Sequence, residues 1–477
     1  MRVLHISAEC YPAAKAGGLG DVAGALPKYL NQIDIATAVV IPKYQTAWLD
    51  KQTYEEVFRG SMRMHHGEIP FAILEVTSAD LGFPLYVADI PGKFDRPGIY
   101  ADVWGNNFGD ELERALSFQG ATLQWLLHME EKPDILHCHD HHTGLIPFFV
   151  KYSPEYQALS NIPTVFTIHN GEYHGSFSWD NAYLLPYFYS NARGLLDWYS
   201  VINPLAAAIK SCWRLTTVSP TYMSELRSAS NGLEWLISHE AGKSRGILNG
   251  IDTQVWDPAS DPYLEHHLKD SADYFKFENK RALAEQFQLP LEWPIITFIG
   301  RLAREKGADL IPDTIRRFYE YGHRAAFIIL GSGDAQLQHT LMQLGHRYHG
   351  RMTAIIAYNE GLSHRLYAGS DFMFMPSRVE PCGLNQMYAM RYGTVPVVRK
   401  VGGLRDTVPD IGEPNGSGRG IQFSNFTVED AVLALYRATD LYRNTAFFHH
   451  LRQHIMQVDF SWERSAAEYA ALYKELK

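Results

Sequence analysis

A short glycine-containing pattern occurs twice in the chain, and each copy could bind an anion. The first copy, over 15–22, reads Lys-Ala-Gly-Gly-Leu-Gly-Asp-Val, and the second, over 400–408, reads Lys-Val-Gly-Gly-Leu-Arg-Asp-Thr-Val. Each follows an apolar β-type run, 3–6 or 395–398, and leads into a segment that could open a helix. Glycine lets a ligand approach the backbone, and free N–H groups at a helix N-terminus favour negative charge. Either copy alone could simply end a strand, but the repeat predicts two similar α/β halves that face one anionic ligand.

Two basic side chains follow another predicted strand, 295–299. Arg301 lies at the carboxyl end of this strand, and Lys306 lies five residues further on, at a predicted helix start. A guanidinium group forms paired hydrogen bonds with phosphate oxygens and an ammonium group adds a point charge, so the two side chains suit a diphosphate. The alternative is a solvated loop with ordinary surface cations.

A carboxylate follows the strand predicted at 372–375. Glu380 precedes Cys382 and a helix that is predicted to begin at Gly383 and Leu384. Glu380 could accept hydrogen bonds from sugar hydroxyls, while the N–H groups of the helix start could bind a phosphate. A glutamate in this position could equally interact with the helix dipole. Nothing in the sequence marks Cys382 as an activated nucleophile.

Histidines gather at the ends of two further predicted strands. The segment 137–142 reads His-Cys-His-Asp-His-His, so His137 and His139 share one face of a strand and Asp140 could complete a metal site. The sequence has no comparable cluster to supply the remaining ligands, which favours substrate hydrogen bonding over metal binding. His169, just past the next strand, could contact a sugar, act as an acid or base, or be structural.

Short apolar runs alternate with helical patterns along the chain, which is typical of parallel α/β sheets with ligands beyond the carboxyl ends of the strands. Helices are predicted at 307–321 and 383–392. The length of 477 residues predicts two or three domains. We expect one domain over 1–245, joined by a C-terminal helix within 457–477, and another over 246–456. Strands are predicted at 3–6, 37–41, 84–88, 135–137, 164–168, 215–218, 295–299, 326–330, 353–357, 372–375 and 395–398.

Composition and charge narrow the class of protein. The net charge of −10 comes without a long acidic or basic block, which argues against nucleic acid or an anionic membrane as the main partner. The four cysteines show no paired spacing, which predicts a reducing compartment. The chain opens on a strand and not on a secretory signal, and no apolar run is long enough to span a bilayer. We therefore expect a cytoplasmic protein.

As a set, these motifs resemble those of bacterial glycogen synthases and plant starch synthases over essentially the full length of the chain. The segments that carry the resemblance are 15–19, 137–140, 167–170, 218–222, 246–252, 301–306, 377–384, 400–408 and 459–462. The resemblance implies an α/β fold of GT-B architecture, in which two Rossmann-like domains face each other across a deep interdomain cleft. The N-terminal domain would bind the glucan acceptor and the C-terminal domain the nucleotide-sugar donor.

The resemblance also implies a reaction and its partners. Glucose would pass from ADP-glucose, with retention of anomeric configuration, to the nonreducing-end 4-hydroxyl of an α-1,4-glucan such as glycogen. No metal and no other cofactor would be required, and the absence of any Asp-x-Asp sequence agrees with this expectation. The sequence carries no signal for the oligomeric state.

The family pattern assigns roles to individual residues of this chain. The donor phosphates and nucleotide would be bound by Lys15, Gly17, Gly18, Arg301, Lys306, Tyr358, Gly383 and Leu384. The glucose would be surrounded by His169, Asn249, Glu380, Cys382 and Gly383. The catalytic candidates are His169, Asp140, Glu380, Arg301 and Lys306.

On this pattern the two glycine copies are unequal. The copy at Lys15 matches the donor-binding signature of the family. The copy at Lys400 comes after the strand that follows Glu380, so we expect it to shape a glycine turn, with at most a secondary ligand role. One donor site with unequal contributors therefore replaces the initial idea of two equal phosphate sites.

The chain departs from the family pattern at a few positions. The usual threonine before the first glycine pair is Ala16, and the position after Leu384, often threonine, is Asn385. In the domain expected to bind the acceptor, Gly171 and Glu172 replace the usual x-Ala pair, and Ala206 replaces a family lysine. Acceptor choice and catalytic efficiency could therefore differ from those of relatives.

Three other functions stay open at the level of sequence. The first is another retaining GT-B glucosyltransferase with a different acceptor or a UDP-glucose donor; many such enzymes carry a second glutamate where this chain has Tyr388, which favours the synthase. The second is a metal-dependent hydrolase that uses His137, His139 and Asp140. The third is a glucan-binding protein of weak activity.

Overall fold

The computed structural model of the chain describes residues 1–64, 67–102, 105–414 and 416–477. Its strands, β1 to β17 in chain order, are Arg2–Ile6, Ala36–Pro42, Tyr54–Met64, Gly67–Val76, Leu85–Asp89, Ile135–His139, Thr164–Ile168, Asp197–Trp198, Val201–Ile202, Arg214–Thr217, Ser244–Gly246, Ile295–Ile299, Ala326–Leu330, Met352–Ile355, Phe372–Met375, Val395–Arg399 and Ile421–Phe423. Its α-helices, α1 to α16, are Gly18–Asn31, Glu111–His128, Ile146–Tyr152, Arg193–Leu196, Pro204–Ser211, Pro220–Leu226, Glu234–His239, Ala272–Phe287, Ile311–Glu320, Ala335–Arg347, Glu360–Gly369, Asn385–Arg391, Gly402–Thr407, Val428–Arg443, Thr445–Met456 and Trp462–Lys474. None of the helices described here is both long and apolar enough to cross a membrane.

Backbone contacts divide the chain into two compact units. The N-terminal unit comprises Met1–Val218, Met223–Leu248 and Trp462–Lys477, and the C-terminal unit comprises Ser219–Tyr222 and Asn249–Ser461. The two main breaks lie a few residues beyond the domain limits expected from the sequence. The acceptor and donor roles of the two domains stay predictions.

The N-terminal unit is built on one large sheet with the strand order β11-β10-β7-β6-β1-β2-β5-β4-β3. Pairing is parallel except between β3 and β4 and between β4 and β5, where it is antiparallel. The order reverses between β1 and β6, because β2 lies on one side of β1 while β6 and β7 lie on the other. Ligands of doubly wound sheets bind beyond the carboxyl ends of the strands at such a reversal.

The long hairpin of β3 and β4 was not predicted. Most residues of β3 are exposed or half-buried, so this strand lacks the continuous apolar run that marked the central strands. The short strands β8, β9, β11 and β17 were missed as well. In β6, the strand continues two residues past the predicted end at His137 and includes His139.

The last helix, α16, completes the core of the N-terminal unit. Trp462, Ala466, Tyr469 and Tyr473 recur at helical spacing on one face, and all are buried in a cluster that also contains residues of β1, α1, β6 and β7. The chain therefore returns to its first unit at its C-terminal end.

The C-terminal unit contains a parallel sheet with the order β14-β13-β12-β15-β16-β17. Its strand order reverses between β12 and β15, since β13 lies on one side of β12 and β15 on the other. Apolar residues of β12 and β13 pack against α8 and α11, among them Leu283, Ile295, Ile328 and Leu366. The loops after β12 and β15 lie side by side at the carboxyl edge of this sheet.

Both helices predicted in the C-terminal unit begin later than expected. Short 3₁₀ turns, Arg304–Lys306 and Ala308–Leu310, precede α9, and Gly307 joins them with a φ of 65°. The helix predicted to begin at Gly383 begins at Asn385 instead, because Gly383 has a φ of 74° and cannot be part of a right-handed helix.

Candidate active site

The loop between β1 and α1 holds a carboxylate against backbone N–H groups. The N–H groups of Ala16 and Gly17 donate to Oε2 of Glu9 at 2.6 and 2.9 Å. The hydroxyl of Tyr100 donates to Oε1 of the same glutamate at 2.7 Å. Glu9 is buried. The loop before Gly18 thus already binds one carboxylate, which shows that these N–H groups can bind an anion.

Lys15, the predicted phosphate ligand in this loop, forms an ion pair with Asp21. Nζ of Lys15 lies 2.6 Å from Oδ1 of Asp21, and the lysine side chain is 43% exposed. Burial raises the pKa of Asp21, and the neighbouring Lys15 opposes that shift. An ion pair between partly exposed groups contributes little to stability, so a phosphate can replace Asp21 as the partner of Lys15 at small cost.

Asp140 and His169 meet because β6 and β7 are neighbours in the sheet. The backbone N–H of His169 donates to Oδ1 of Asp140 at 2.7 Å. Burial raises the pKa of Asp140 to about 7, against the opposing effect of the N–H groups of His169 and Asn170. A carboxyl group that titrates near neutral pH suits proton transfer or hydrogen-bond donation to a substrate.

The buried histidines of this unit hydrogen-bond to one another. Nδ1 of His139 lies 3.0 Å from Nε2 of His169, and Nε2 of His139 lies 2.9 Å from Nδ1 of His5. Burial lowers the pKa of His5 and of His169 to about 3, so both rings are neutral at physiological pH.

The metal site considered from the sequence has a different composition in the structure. Ligand atoms of His5, His137 and His139 lie within 4.8 Å of one another, so the third member is His5 and not Asp140. The ring nitrogens of these histidines are engaged in hydrogen bonds with other side chains. A second group with suitable spacing consists of Glu111, His141 and His142.

In the C-terminal unit, Lys306 and Glu380 meet at the carboxyl edge of the sheet. Nζ of Lys306 lies 2.7 and 2.9 Å from the two carboxylate oxygens of Glu380. The hydroxyl of Ser377 donates to Oε2 of Glu380 at 2.9 Å. Glu380 is buried and follows β15, whereas Lys306 follows β12. The strand-order reversal therefore brings together an anion and a cation that are distant in sequence.

Arg301, the other predicted phosphate ligand, is paired with a different carboxylate. Its guanidinium lies 2.6 Å from Oε1 of Glu305, and its side chain is 69% exposed. Such an exposed pair contributes at most about 1 kcal/mol, so the guanidinium is free to reorient towards a ligand. Lys15, Arg301 and Lys306 thus share one feature, since each is paired with a nearby carboxylate.

The remaining predicted residues of this unit differ in burial and in their contacts. Asn249 is buried, and within the described part of the chain its side-chain Oδ1 has no hydrogen-bond partner. Burial raises the pKa of the Cys382 thiol to about 12, with the backbone N–H of Asn249 opposing, so Cys382 is not a nucleophile at neutral pH. Leu384 precedes α12 as its N-cap residue. Tyr358 is 87% exposed, as a platform for a ring would be.

The second glycine copy supports the loop that carries Glu380. The N–H of Gly403 donates to the carbonyl oxygen of Glu380 at 3.1 Å. A Cβ atom added at Gly403 would overlap the carbonyl oxygen of Cys382, and one at Gly402 would overlap that of Glu380. The glycines of this copy are therefore required for close backbone packing.

Comparison with known proteins identifies the family. Residues 2–239 match the family model "Starch synthase catalytic domain", and residues 279–442 match "Glycosyl transferases group 1". The chain is 44% identical to a glycogen synthase of Flavobacterium johnsoniae over 99% of this chain and 98% of that protein. A glycogen synthase of Streptococcus gordonii is 37% identical over the full length of both. The chain belongs to the glycogen synthase family. It is a glycosyltransferase.

Solved structures confirm the fold class. The catalytic domain of starch synthase IV from Arabidopsis thaliana, bound to ADP and acarbose, matches with a TM-score of 0.87 and 33% identity over 99% of both chains. Sucrose-phosphate synthase from Thermosynechococcus elongatus matches with a TM-score of 0.62 at 17% identity over 100% of this chain and 98% of that chain, which shows the fold alone. The predicted GT-B class with two Rossmann-like domains is therefore confirmed, while the deep interdomain cleft stays a prediction.

Two departures from the family pattern have a structural counterpart. Ala206 is fully buried in α5, so the longer side chain of the family lysine does not fit at this position without a shift of the neighbouring residues. The side chain of Asn385 donates to the carbonyl oxygen of Ile299 at 2.8 Å, which ties α12 to the end of β12.

Sequence reasoning missed several residues of the site. Glu9 could have been found, because it follows β1 as Glu380 follows β15. Tyr100 carried no signal. Glu305 and Ser377 lie within the resembling segments 301–306 and 377–384 but were given no role, since each matters only through a partner that the fold brings close to it.

Proposed function

We propose that this glycosyltransferase transfers glucose, with retention, from ADP-glucose to the nonreducing-end 4-hydroxyl of an α-1,4-glucan. The observation that carries the proposal is the ion pair of Lys306 and Glu380, which occupies the strand-order reversal of the C-terminal unit. This position suits a nucleotide sugar, because a cation for phosphate and a carboxylate for sugar hydroxyls lie next to each other.

Donor binding would replace the ion pairs of the ligand-free protein. The diphosphate would replace Glu380 as the partner of Lys306 and Glu305 as the partner of Arg301. The carboxylate of Glu380 could then accept hydrogen bonds from glucose hydroxyls. The buried Oδ1 of Asn249 would accept another hydroxyl, which gives this atom the partner it lacks among the described residues. Lys15 would supply a further positive charge.

Transfer then depends on stabilising the departing ADP. Negative charge grows on the diphosphate as the bond between glucose and the diphosphate breaks. Cations that already contact the phosphate therefore lower the barrier. With retention on one face of the sugar, the departing phosphate would take the proton of the acceptor hydroxyl. Glu380 is accordingly proposed as a positioning carboxylate and not as the nucleophile.

On the N-terminal unit, His169 and Asp140 are the proposed sugar-binding groups. A neutral imidazole can form a hydrogen bond with a sugar hydroxyl, and it does not form an ion pair with the phosphate as a protonated imidazole would. Asp140, with a pKa near 7, can both donate and accept. The changed residues Gly171 and Glu172 lie two and three residues after His169, so they are the first places to look for an altered acceptor preference.

The test measures glucose transfer from ADP-glucose and from UDP-glucose to glycogen and to maltooligosaccharides, side by side. We expect chain elongation with ADP-glucose as the better donor, and an α configuration at each new linkage by proton NMR of the product. The variant Glu380→Gln should lose most of the transfer and serves as the control for contaminating activity.

Other outcomes identify the other functions. Faster transfer from UDP-glucose would correct the donor, and a disaccharide product without elongation would correct the acceptor. Glucan binding without ADP release would indicate a binding protein. Hydrolysis abolished by a chelator would support a metal enzyme and overturn the proposal.

A further inference from the structure

A continuous series of hydrogen bonds crosses the buried interior of the N-terminal unit and ends at His169. Its members lie on β1, β6, β7, β10 and α16 and just past β7, and all are buried. We call it the histidine chain. Its links are Thr216 Oγ1 to Thr167 Oγ1 (2.6 Å), Thr167 Oγ1 to His137 Nε2 (2.6 Å), His137 Nδ1 to Tyr473 Oη (2.6 Å), Tyr473 Oη to His5 Nε2 (3.4 Å), His5 Nδ1 to His139 Nε2 (2.9 Å) and His139 Nδ1 to His169 Nε2 (3.0 Å).

The sheet register explains why these side chains meet. His5 lies opposite His137 in the pairing of β1 with β6, and Thr167 lies opposite both His139 and Thr216 in the pairings of β7. Tyr473 reaches the same side of the sheet from α16. The roles that the family pattern gives to His169 and Asp140 do not involve the other members of the histidine chain.

In the histidine chain, the hydrogen bond at one nitrogen of each ring determines whether the other nitrogen donates or accepts. A neutral imidazole has one N–H and one lone pair, so a ring that accepts at one nitrogen must donate at the other. Burial lowers the pKa of the four histidines, which keeps all of them neutral. The donor–acceptor direction at one end therefore fixes which nitrogen of His169 carries hydrogen.

The hydroxyl groups select one of the two directions. Within the described part of the chain, the partner of the Thr216 hydroxyl is Thr167. If Thr216 donates to Thr167, every O–H and N–H from Thr216 to His139 has an acceptor, Nε2 of His169 accepts from His139, and the N–H on Nδ1 of His169 is left for a ligand. If every hydrogen bond runs in the opposite direction, the buried O–H of Thr216 has no acceptor. If the direction changes at Tyr473, so that both neighbouring histidines donate to it, the O–H of Tyr473 has no acceptor. Such an orphaned donor is costly.

We propose that the histidine chain holds His169 as the tautomer with hydrogen on Nδ1, so that His169 donates a hydrogen bond to a hydroxyl of the bound sugar. His139, Tyr473 and Thr167 are then positioning residues, which act through His169. The identity of the ligand as a sugar rests on the proposed function, but the tautomer does not.

The first test reads the tautomer directly by NMR of protein labelled with ¹⁵N-histidine, without substrate. The signals of His169 are assigned by their loss in His169→Gln. We expect a protonated Nδ1 and an unprotonated Nε2 in the wild type. Tyr473→Phe removes the central hydroxyl and should give a mixture of tautomers, because neither direction then satisfies every group.

A matched control for Tyr473→Phe is Tyr469→Phe. Tyr469 lies one turn earlier on α16 and is equally buried, but its hydroxyl is not a link of the histidine chain. Its loss should leave His169 in one tautomer. A wild type with hydrogen on Nε2, or an unchanged single tautomer in Tyr473→Phe, would overturn the proposal. So would one bound metal ion per chain, because a metal would occupy the lone pairs that the histidine chain needs.

The second test compares two substitutions of one residue by their glucosyl transfer. The carboxamide of His139→Asn takes the place of Nδ1 and can still bond His169, whereas that of His139→Gln takes the place of Nε2 and cannot. We expect kcat/KM to stay within about threefold of wild type for Asn and to fall about tenfold for Gln, the effect of one lost hydrogen bond. Thermal unfolding checks that both variants fold.

Equal losses for the two His139 variants with equal folding would show a packing role only and overturn the proposal. A wild type that transfers no glucose would overturn the proposed function instead, and the NMR result would still decide on the tautomer. The two failures are therefore distinguishable.

Discussion

The two glycine copies share a lysine, a Gly-Gly-Leu run and an aspartate at the same offsets, but the space around their glycines differs. A Cβ atom added at Gly17 or Gly18 would meet no atom within 4 Å. One added at Gly403 would overlap the backbone of the loop that carries Glu380. Glycine in the first copy therefore leaves room for a ligand, whereas glycine in the second copy is needed for packing.

The charged residues of the two copies differ in the same way. In the first copy, Asp21 pairs with Lys15. In the second, the carboxylate of Asp406 accepts hydrogen bonds from the N–H and the hydroxyl of Thr221, at 2.8 and 2.6 Å. The first copy thus keeps its lysine in an exchangeable pair, and the second uses its aspartate to fix the backbone.

The largest effect is expected for Gly403→Ala. Overlap with the carbonyl oxygen of Cys382 should lower the free energy of unfolding by about 3 kcal/mol, the upper range for overpacking. Urea unfolding measures this, with Gly17→Ala as the control that should change stability little. Similar losses in the two variants would remove the distinction between packing and open glycines.

The next largest effect is expected for the lysine of the first copy. Lys15→Gln should lower kcat/KM for ADP-glucose about 100-fold, because a charge that stabilises the departing diphosphate is lost. Lys400→Gln changes the corresponding exposed lysine of the second copy and should leave kcat/KM nearly unchanged. Equal effects would mean that both copies bind phosphate.

A smaller effect is expected when the aspartate of each copy is replaced, and it is measured as a change in the free energy of unfolding. Asp406→Ala should cost about 2 kcal/mol of unfolding free energy, because two hydrogen bonds to a carboxylate are lost. Asp21→Ala removes only a partly exposed ion pair and should cost less than about 1 kcal/mol. Urea unfolding of the two variants in the same buffer checks the order, and the reverse order would contradict it.

The smallest effect on stability is expected for Gly18→Ala. This residue opens α1, where alanine is a better helix former, so the unfolding free energy should rise by about 0.5 kcal/mol. The added methyl group would occupy the open space, so the KM for ADP-glucose should rise about fivefold. A stabilised variant with unchanged KM would show that the space is not used by the donor.

The sequence predicted best those strands that are buried on both faces. The strands β7, β12, β13 and β15 were predicted to the residue, because each is a short apolar run with no exposed face. The exposed β3 gave no such run. Helix starts were less accurate, as at Gly383, because a positive φ at one residue delays the helix without changing its composition.

The part of the candidate site that follows predicted strands could be predicted from the sequence. His169, Lys306 and Glu380 follow strands, and parallel strands collect such residues at one edge of a sheet. Tyr473 could not be found, because it belongs to a helix at the far end of the chain. The role of Glu9 also depends on the loop that folds back onto it.

The sequence by itself predicted the α/β class from its apolar runs, and its motifs, by their resemblance to those of glycogen synthases, predicted the family and most residues of the candidate site. Only the tertiary structure decided which glycine copy is open and which is packed, and which side chains meet in the histidine chain. The reason is physical: the space around a glycine and the acceptor for a buried donor are set by distant segments. Residues 380–382 pack against Gly403 and α16 brings Tyr473 to His137, and no local pattern encodes either contact.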